Sequence, residues 1–208
     1  RVLDFFHENR PPGGVRIGDV GLGAGTLAAY ARKLDNIRFY EINPVVEKIA
    51  NSLFTYLSEC EGKCEVVLGD ARVMLEREPD QNYDVLILDA FNSDAIPAHL
   101  LSREALAIYQ RKLKPDGAIL FHVSNRYLRI RELVTALAFD AKLPALYRND
   151  DDDREPGKAR SSFVILALNT ETLRGLSRTR DWFQVPYFDS VEPWTDDYSN
   201  LFEILKWE

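Results

Sequence analysis

The sequence is poor in the residues that build frameworks from bonds rather than from burial. Its 208 residues hold two cysteines, three histidines and one methionine. Two cysteines cannot build a disulfide scaffold, so Cys60 and Cys64 read as thiols of a reducing compartment. Their spacing suits two metal ligands, but no second His/Cys cluster accompanies them, and no metal is expected. No run of about 18 apolar residues exists, so direct membrane insertion is not expected. The start, Arg1-Val2-Leu3-Asp4, lacks an initiator methionine and the basic-then-apolar pattern of a signal peptide. It reads as the start of a piece cut from a longer chain, with a cytoplasmic location. Cations are also in deficit: 26 Lys and Arg face 33 Asp and Glu, a net charge of −7. That balance argues against a nucleic-acid partner and suits neutral or cationic ligands.

What is present is a core and a rhythm. Hydrophobic residues make up 46% of the chain, enough for one large domain and too many for disorder. Short β-rich runs alternate with segments of helical period. The strand candidates are 15–20, 37–40, 65–68, 83–88, 118–123, 145–148 and 162–168. Tyr83 to Leu88 is almost continuously apolar, as a parallel strand covered on both faces should be. Between the strands, Leu27, Tyr30, Ala31 and Leu34 predict a helix after the first one. Asn43-Pro44 predicts the cap of a second, with Val46, Ile49, Ala50 and Leu53 as its buried stripe. Further helices follow Ala71, Ser102 and Ile130, and Pro115-Asp116-Gly117 reads as a turn. The alternation predicts an α/β fold: a mostly parallel, seven-stranded sheet with helices on both faces. Residues 1–14 form a lead-in, and 15–208 a single domain. The run Asp150 to Asp153 reads as a solvated hairpin loop, with an acidic rim beside an amine site as the sharper alternative.

In such sheets ligands bind outside the carboxyl ends of the strands. Reading only those ends gives Gly21, Gly23 and Gly25, then Glu41, then Asp70-Ala71, then Asp89 and Asp94, then His122, Ser124 and Asn125. Glycines after the first strand let a ligand approach the backbone. An acid ending the second strand can accept hydrogen bonds from both hydroxyls of a ribose. Asp70 can accept from an adenine amino group, or simply cap the helix that follows. No Gly-Lys-Ser/Thr follows the glycines, which excludes a phosphate-binding loop, and the third glycine is not spaced for a dinucleotide. A single nucleoside carrying a sulfonium fits best.

These residues also carry a resemblance. The segments Gly21-Leu22-Gly23-Ala24-Gly25, Phe39-Tyr40-Glu41-Ile42-Asn43-Pro44, Leu68-Gly69-Asp70-Ala71-Arg72 and Tyr83 to Asp89 resemble the spermidine synthase family of aminopropyltransferases. Asp89 to Pro97, His122 to Leu128 and Trp194 to Asn200 look like its spermidine-synthase-like subgroup, often fused behind a transporter-like membrane module. The resemblance implies the class I S-adenosylmethionine-dependent methyltransferase (Rossmann-like) fold. It implies S-adenosylmethionine or its decarboxylated form as co-substrate, held by Gly21, Gly23, Gly25, Glu41, Ile42, Asp70, Ala71 and Asp89. Asp89 and Asp94 would be catalytic, facing a small amine such as putrescine. A homodimer and a membrane module upstream are assemblies the resemblance allows.

Two departures matter. Ala24 stands where family members carry an aspartate for the amine end of the decarboxylated co-substrate, so a methyltransferase using intact S-adenosylmethionine is an alternative. The Asp89–Asp94 loop is two residues longer than the family's. A non-catalytic nucleoside-sensing domain is the third reading. Trp194, Asp196, Asp197 and Tyr198 read either as a lid over the acceptor or as a tail covering the sheet, and His122 as a structural strand-end residue more readily than a catalytic one.

Overall fold

A computed structural model describes residues 2–10, 13–91, 97–152, 154, 159–178 and 181–206. Eight strands form one sheet: β1 Arg16–Val20, β2 Asn36–Glu41, β3 Lys63–Leu68, β4 Tyr83–Leu88, β5 Leu113–His122, β6 Ala145–Asp150, β7 Ser161–Ala167 and β8 Phe183–Gln184. Their spatial order is β3-β2-β1-β4-β5-β7-β6-β8. The first five run parallel, and the last three join antiparallel. The α/β, mostly parallel architecture is therefore as expected. The strand count is not seven, because β8 has two residues and no alternating pattern betrays so short a strand.

The period-2 alternation of the strands splits the core into two layers. Ile17, Ile37, Phe39, Val85 and Ile87 face helices α1 (Val2–Asn9), α2 (Pro44–Leu53) and α6 (Thr170–Ser177). Val20, Tyr40, Leu86, Leu88, Ile119 and Phe121 face α3 (Ala71–Arg77), α4 (Arg103–Lys112) and α5 (Ile130–Asp140). All six residues of β4 are buried, which puts this strand at the centre of both layers. The helix starts follow capping chemistry. Asn43, Asp70, Ser102 and Asn169 each accept a first-turn backbone N–H with the side chain. Among the described residues, no helix is long and apolar enough to cross a membrane.

Several local expectations fail. The helix predicted after the glycine loop is a single 3-10 turn, Thr26–Tyr30, whose N-terminal neighbour Gly25 is left-handed and offers no side-chain cap. Ala28 and Ala31 are buried, while Tyr30 and Leu34 are 68% and 61% exposed. The helical spacing was present, but nothing satisfied the amides of a first α turn. In α2 only Ala50 is fully buried, and Ile49 and Leu53 lie open. The Pro115-Asp116-Gly117 turn lies inside the span of β5, where the register against β4 shifts between Tyr83 and Val85. Cys60 and Cys64 are joined in a disulfide, Cα–Cα 6.4 Å, rather than free.

The C-terminal segment covers a core layer. Trp194 is fully buried, and its carbonyl accepts the N–H of Arg103 at 2.9 Å. Arg72 grips both oxygens of Asp196 at 2.6 Å, and Ser102 Oγ donates to the same carboxylate at 2.8 Å. The guanidinium of Arg72 holds the Asp196 carboxyl down at about 2. Tyr198 donates to Glu203 within the same segment. Replacing Trp194 by alanine should cost about 3–5 kcal/mol of unfolding free energy, as for other buried tryptophans. Urea denaturation checks this; a loss under about 1 kcal/mol would mean that the segment is not part of the core.

Candidate functional site

The carboxyl ends of β1, β2, β3 and β4 surround one cavity of about 540 Å³. Gly21, Gly23, Glu41, Ile42, Asp70, Ala71 and Asp89 all line it. Gly25 does not line it, and Asp94 lies outside the described residues.

The loop after β1 needs its glycines for two different reasons. A Cβ on Gly21 would lie 2.6 Å from the carbonyl oxygen of Asp89, so that glycine permits strand packing. Gly23 is left-handed, φ 52°, with nothing within 4 Å of where a Cβ would stand. Its bare backbone faces the cavity, which is what close approach of a ligand requires.

Glu41 ends β2 and is buried. Its Oε2 accepts the N–H of Leu22 at 3.1 Å and its Oε1 that of Asn43 at 2.8 Å. The two bonds fix the carboxylate between the glycine loop and α2. An ionised carboxylate has about four acceptor positions, so two remain for a pair of hydroxyls. Ile42, next in the chain, shows a largely exposed apolar side chain at the rim, suited to a flat ring. Beneath, the Tyr40 and Tyr83 hydroxyls meet at 2.6 Å, and burial keeps both phenols protonated.

Asp70 caps α3 through Oδ1, which accepts from Val73 N at 3.0 Å, while Oδ2 lies 2.8 Å from His99 Nε2. Both the cap and a place at the rim are therefore realised. Asp89 follows β4, and its Oδ1 lies 2.7 Å from His122 Nδ1. His122 Nε2 lies 2.9 Å from Ser124 Oγ, which accepts the Ser162 N–H at 2.7 Å. The imidazole is thus held between the Asp89 carboxylate and the Ser124 hydroxyl. The ring also stacks on Phe163, with centroids 4.9 Å apart. Asn125 is structural: it donates to the Phe91 carbonyl and accepts from Tyr127 and Leu128.

Comparison with known proteins gives the fold its relatives. No family model matches the chain. A polyamine aminopropyltransferase of Vibrio vulnificus is 35% identical over 120 residues, 54% of this chain and 40% of that protein. The spermidine synthase of Thermotoga maritima superposes with a TM-score of 0.63 at 16% identity, over 90% of this chain and 65% of that one. Human methyltransferase-like protein 13, solved with SAH, gives 0.60 at 21% identity, covering 91% and 90%. The fold is that of the class I methyltransferases and spermidine synthases. The chain spans about half, or less, of the length of the curated relatives it matches.

One residue escaped the sequence reading. Asp19 lies on β1 just before the glycines, buried, and its Oδ1 has no hydrogen-bond partner. Burial, aided by the nearby Asp89 charge, pushes its carboxyl well above the ordinary carboxylate range. The signal was available: an acid inside an otherwise apolar strand. The sign of the pH effect follows. Below the ordinary carboxyl value of 3.8 both folded and unfolded chains hold this proton. Above it the unfolded chain ionises first, so the residue makes folding less favourable as pH rises. Asp19→Asn should therefore raise the melting temperature relative to the parent at pH 7 and not at pH 4. Equal differences at both pH values would contradict a protonated Asp19.

Proposed function

We propose that the chain is an adenosyl-sulfonium-dependent alkyl transferase, moving an aminopropyl group to a small amine of the putrescine type. The observation that carries this reading is the gathering of Gly23, Glu41, Asp70 and Asp89 around a single cavity. The residues present fit the group. Gly23 offers uncovered backbone at the cavity wall, Glu41 has acceptor positions left for a ribose, and Asp70 stands at the rim for an adenine amino group. The similarity to the Vibrio vulnificus aminopropyltransferase supports the transferred group.

When bound, an adenosyl sulfonium supplies an electrophilic carbon and a neutral thioether leaving group. The chain has three tasks beside it. First, it holds nucleoside and amine in line, and such positioning can contribute several kcal/mol. Second, it takes a proton. A carboxylate of ordinary basicity cannot strip an alkylammonium at equilibrium, but Asp89 can accept the proton as the new N–C bond makes it acidic. Its bond to His122 fixes the carboxylate that does this. Third, it must hold the cationic end of the co-substrate. Ala24 offers no charge, whereas Asp19 is a buried, unsatisfied carboxyl behind the loop, and an ammonium within reach would restore its ionised form.

A second reading is methyl transfer from intact S-adenosylmethionine. Ala24 favours it, because no carboxylate at that position repels the co-substrate's own. The products distinguish the two. With putrescine, aminopropyl transfer from the decarboxylated co-substrate releases methylthioadenosine, and methylation by intact S-adenosylmethionine releases S-adenosylhomocysteine, both measurable by mass spectrometry. Neither product, with either co-substrate, would leave only a binding role and defeat the proposal.

Two substitutions test the assignments. Glu41→Ala should weaken methylthioadenosine binding at least about tenfold, the loss expected when charge-assisted hydrogen bonds go. Asp89→Asn should lower kcat by about 100-fold or more while leaving that dissociation constant nearly unchanged. Full turnover by Asp89→Asn would remove the carboxylate from the chemistry.

A further inference from the structure

A second cavity, about 570 Å³, opens at the ends of β5, β6 and β7 and the start of α5. Its charge runs against that of the chain. Arg126, Arg129, Arg131, Arg160 and Lys206 line it, opposed by the carboxylates of Glu132 and Asp151. Arg129 is committed to Glu132 at 2.9 Å and to the Glu203 carbonyl at 2.6 Å, yet its Nε is buried without a partner. Among the described residues, Arg126, Arg131 and Lys206 have no carboxylate at ion-pair distance. Arg126 lies 5.6 Å from the Tyr127 ring centre, Arg131 5.1 Å from that of Tyr147, and Lys206 Nζ donates to the Asn125 carbonyl at 2.8 Å.

Of the neighbouring acids, Asp150 lies 3.5 Å from Arg148 and Asp152 2.7 Å from Arg154, while Asp151 lines the cavity. Uncharged donors add to the cations: Ser124, Ser161 and Asn149 line the same space. The start of the eleven-residue α5 also opens there, with Arg129 at its N-cap providing no side-chain cap. Uncompensated cations around a concave surface repel one another, and a bound anion relieves them. A helix N-terminus adds to the same preference.

We propose that this cavity binds a small, multiply charged oxyanion, of phosphoester or polycarboxylate chemistry, at a site separate from the nucleoside crevice. The two sites are neighbours through side chains. Ser124 lines the second cavity and meets His122, which meets Asp89 of the first. The inference does not depend on what the crevice binds or transfers.

Isothermal titration of the chain with pyrophosphate and with citrate, at low salt, tests it. At least one should bind with a dissociation constant below about 1 mM that rises with salt. Tighter pyrophosphate binding assigns the phosphoester class, and tighter citrate binding the polycarboxylate class. Arg126→Gln and Arg131→Gln should each weaken binding about tenfold, and Arg131→Lys should retain most of it. Arg126 is exposed, so its replacement reads binding without disturbing packing. Methylthioadenosine affinity, measured on the same samples, should stay at the parent value, which separates this site from the crevice. Absence of binding by both anions, or binding that survives both glutamine substitutions in variants that melt like the parent, would overturn the proposal.

Discussion

The candidate site depends on one backbone contact, the approach of Gly21 to the Asp89 carbonyl. A Cβ at position 21 would stand 2.6 Å from that oxygen, so the chain can leave β1 and β4 side by side only with glycine there. The neighbouring amides lock the arrangement. Asp89 N donates to the Val20 carbonyl at 2.9 Å and Gly21 N to that of Tyr40 at 3.0 Å. Three strand ends are thereby stitched together before any side chain contributes. Glu41 then ties the glycine loop to the start of α2 through two more amides. Glu41, Gly23 and Asp89 share a cavity because the backbone leaves them no other place.

That geometry gathers acids, and each finds a different solution to the cost of burial. Glu41 is paid in backbone hydrogen bonds. Asp70 is divided between a helix cap and His99. Asp89 stays nearer solvent and takes His122 as neighbour. Asp19 has no such recourse: one of its oxygens is unsatisfied, and burial pushes its carboxyl well above the ordinary range. A buried polar atom left unpaired costs about 1–3 kcal/mol, so its presence behind the loop is a standing expense that a bound cation would offset. An adenosyl sulfonium with an amine tail is a ligand of that kind.

The parallel strands and their order of use were legible because burial on both faces writes continuous apolar runs, as in Tyr83 to Leu88. The crevice was legible for a related reason: once the strand ends were known, their polar residues had to meet. What escaped was decided by contacts distant in sequence. Nothing local distinguishes the 3-10 turn at Thr26 from an α-helix of the same spacing, and β8 exists only because Leu146 and Tyr147 offer an edge. The His122 chain needed the register of β5 against β7, which brings the Ser162 N–H to Ser124 Oγ. Trp194 read as lid or as core cover, and only its long-range packing places it in the core.

The same register divides the far end of the sheet by charge. On the side of β4 and β2, the strand ends carry Asp89 and Glu41, so that side favours cations. Where β5 turns toward β7 and α5, Arg126 and Arg131 have no carboxylate at ion-pair distance among the described residues, so that side favours anions. His122 and Ser124 lie on the boundary, with hydrogen bonds reaching both ways. The separation follows from the direction of the strands. The sheet is parallel through β5 and antiparallel beyond it, so the acids come from strand ends while Ser161 and Ser162 come from a strand start. A single change of strand direction thus gives one edge of the sheet two chemistries, joined by one imidazole.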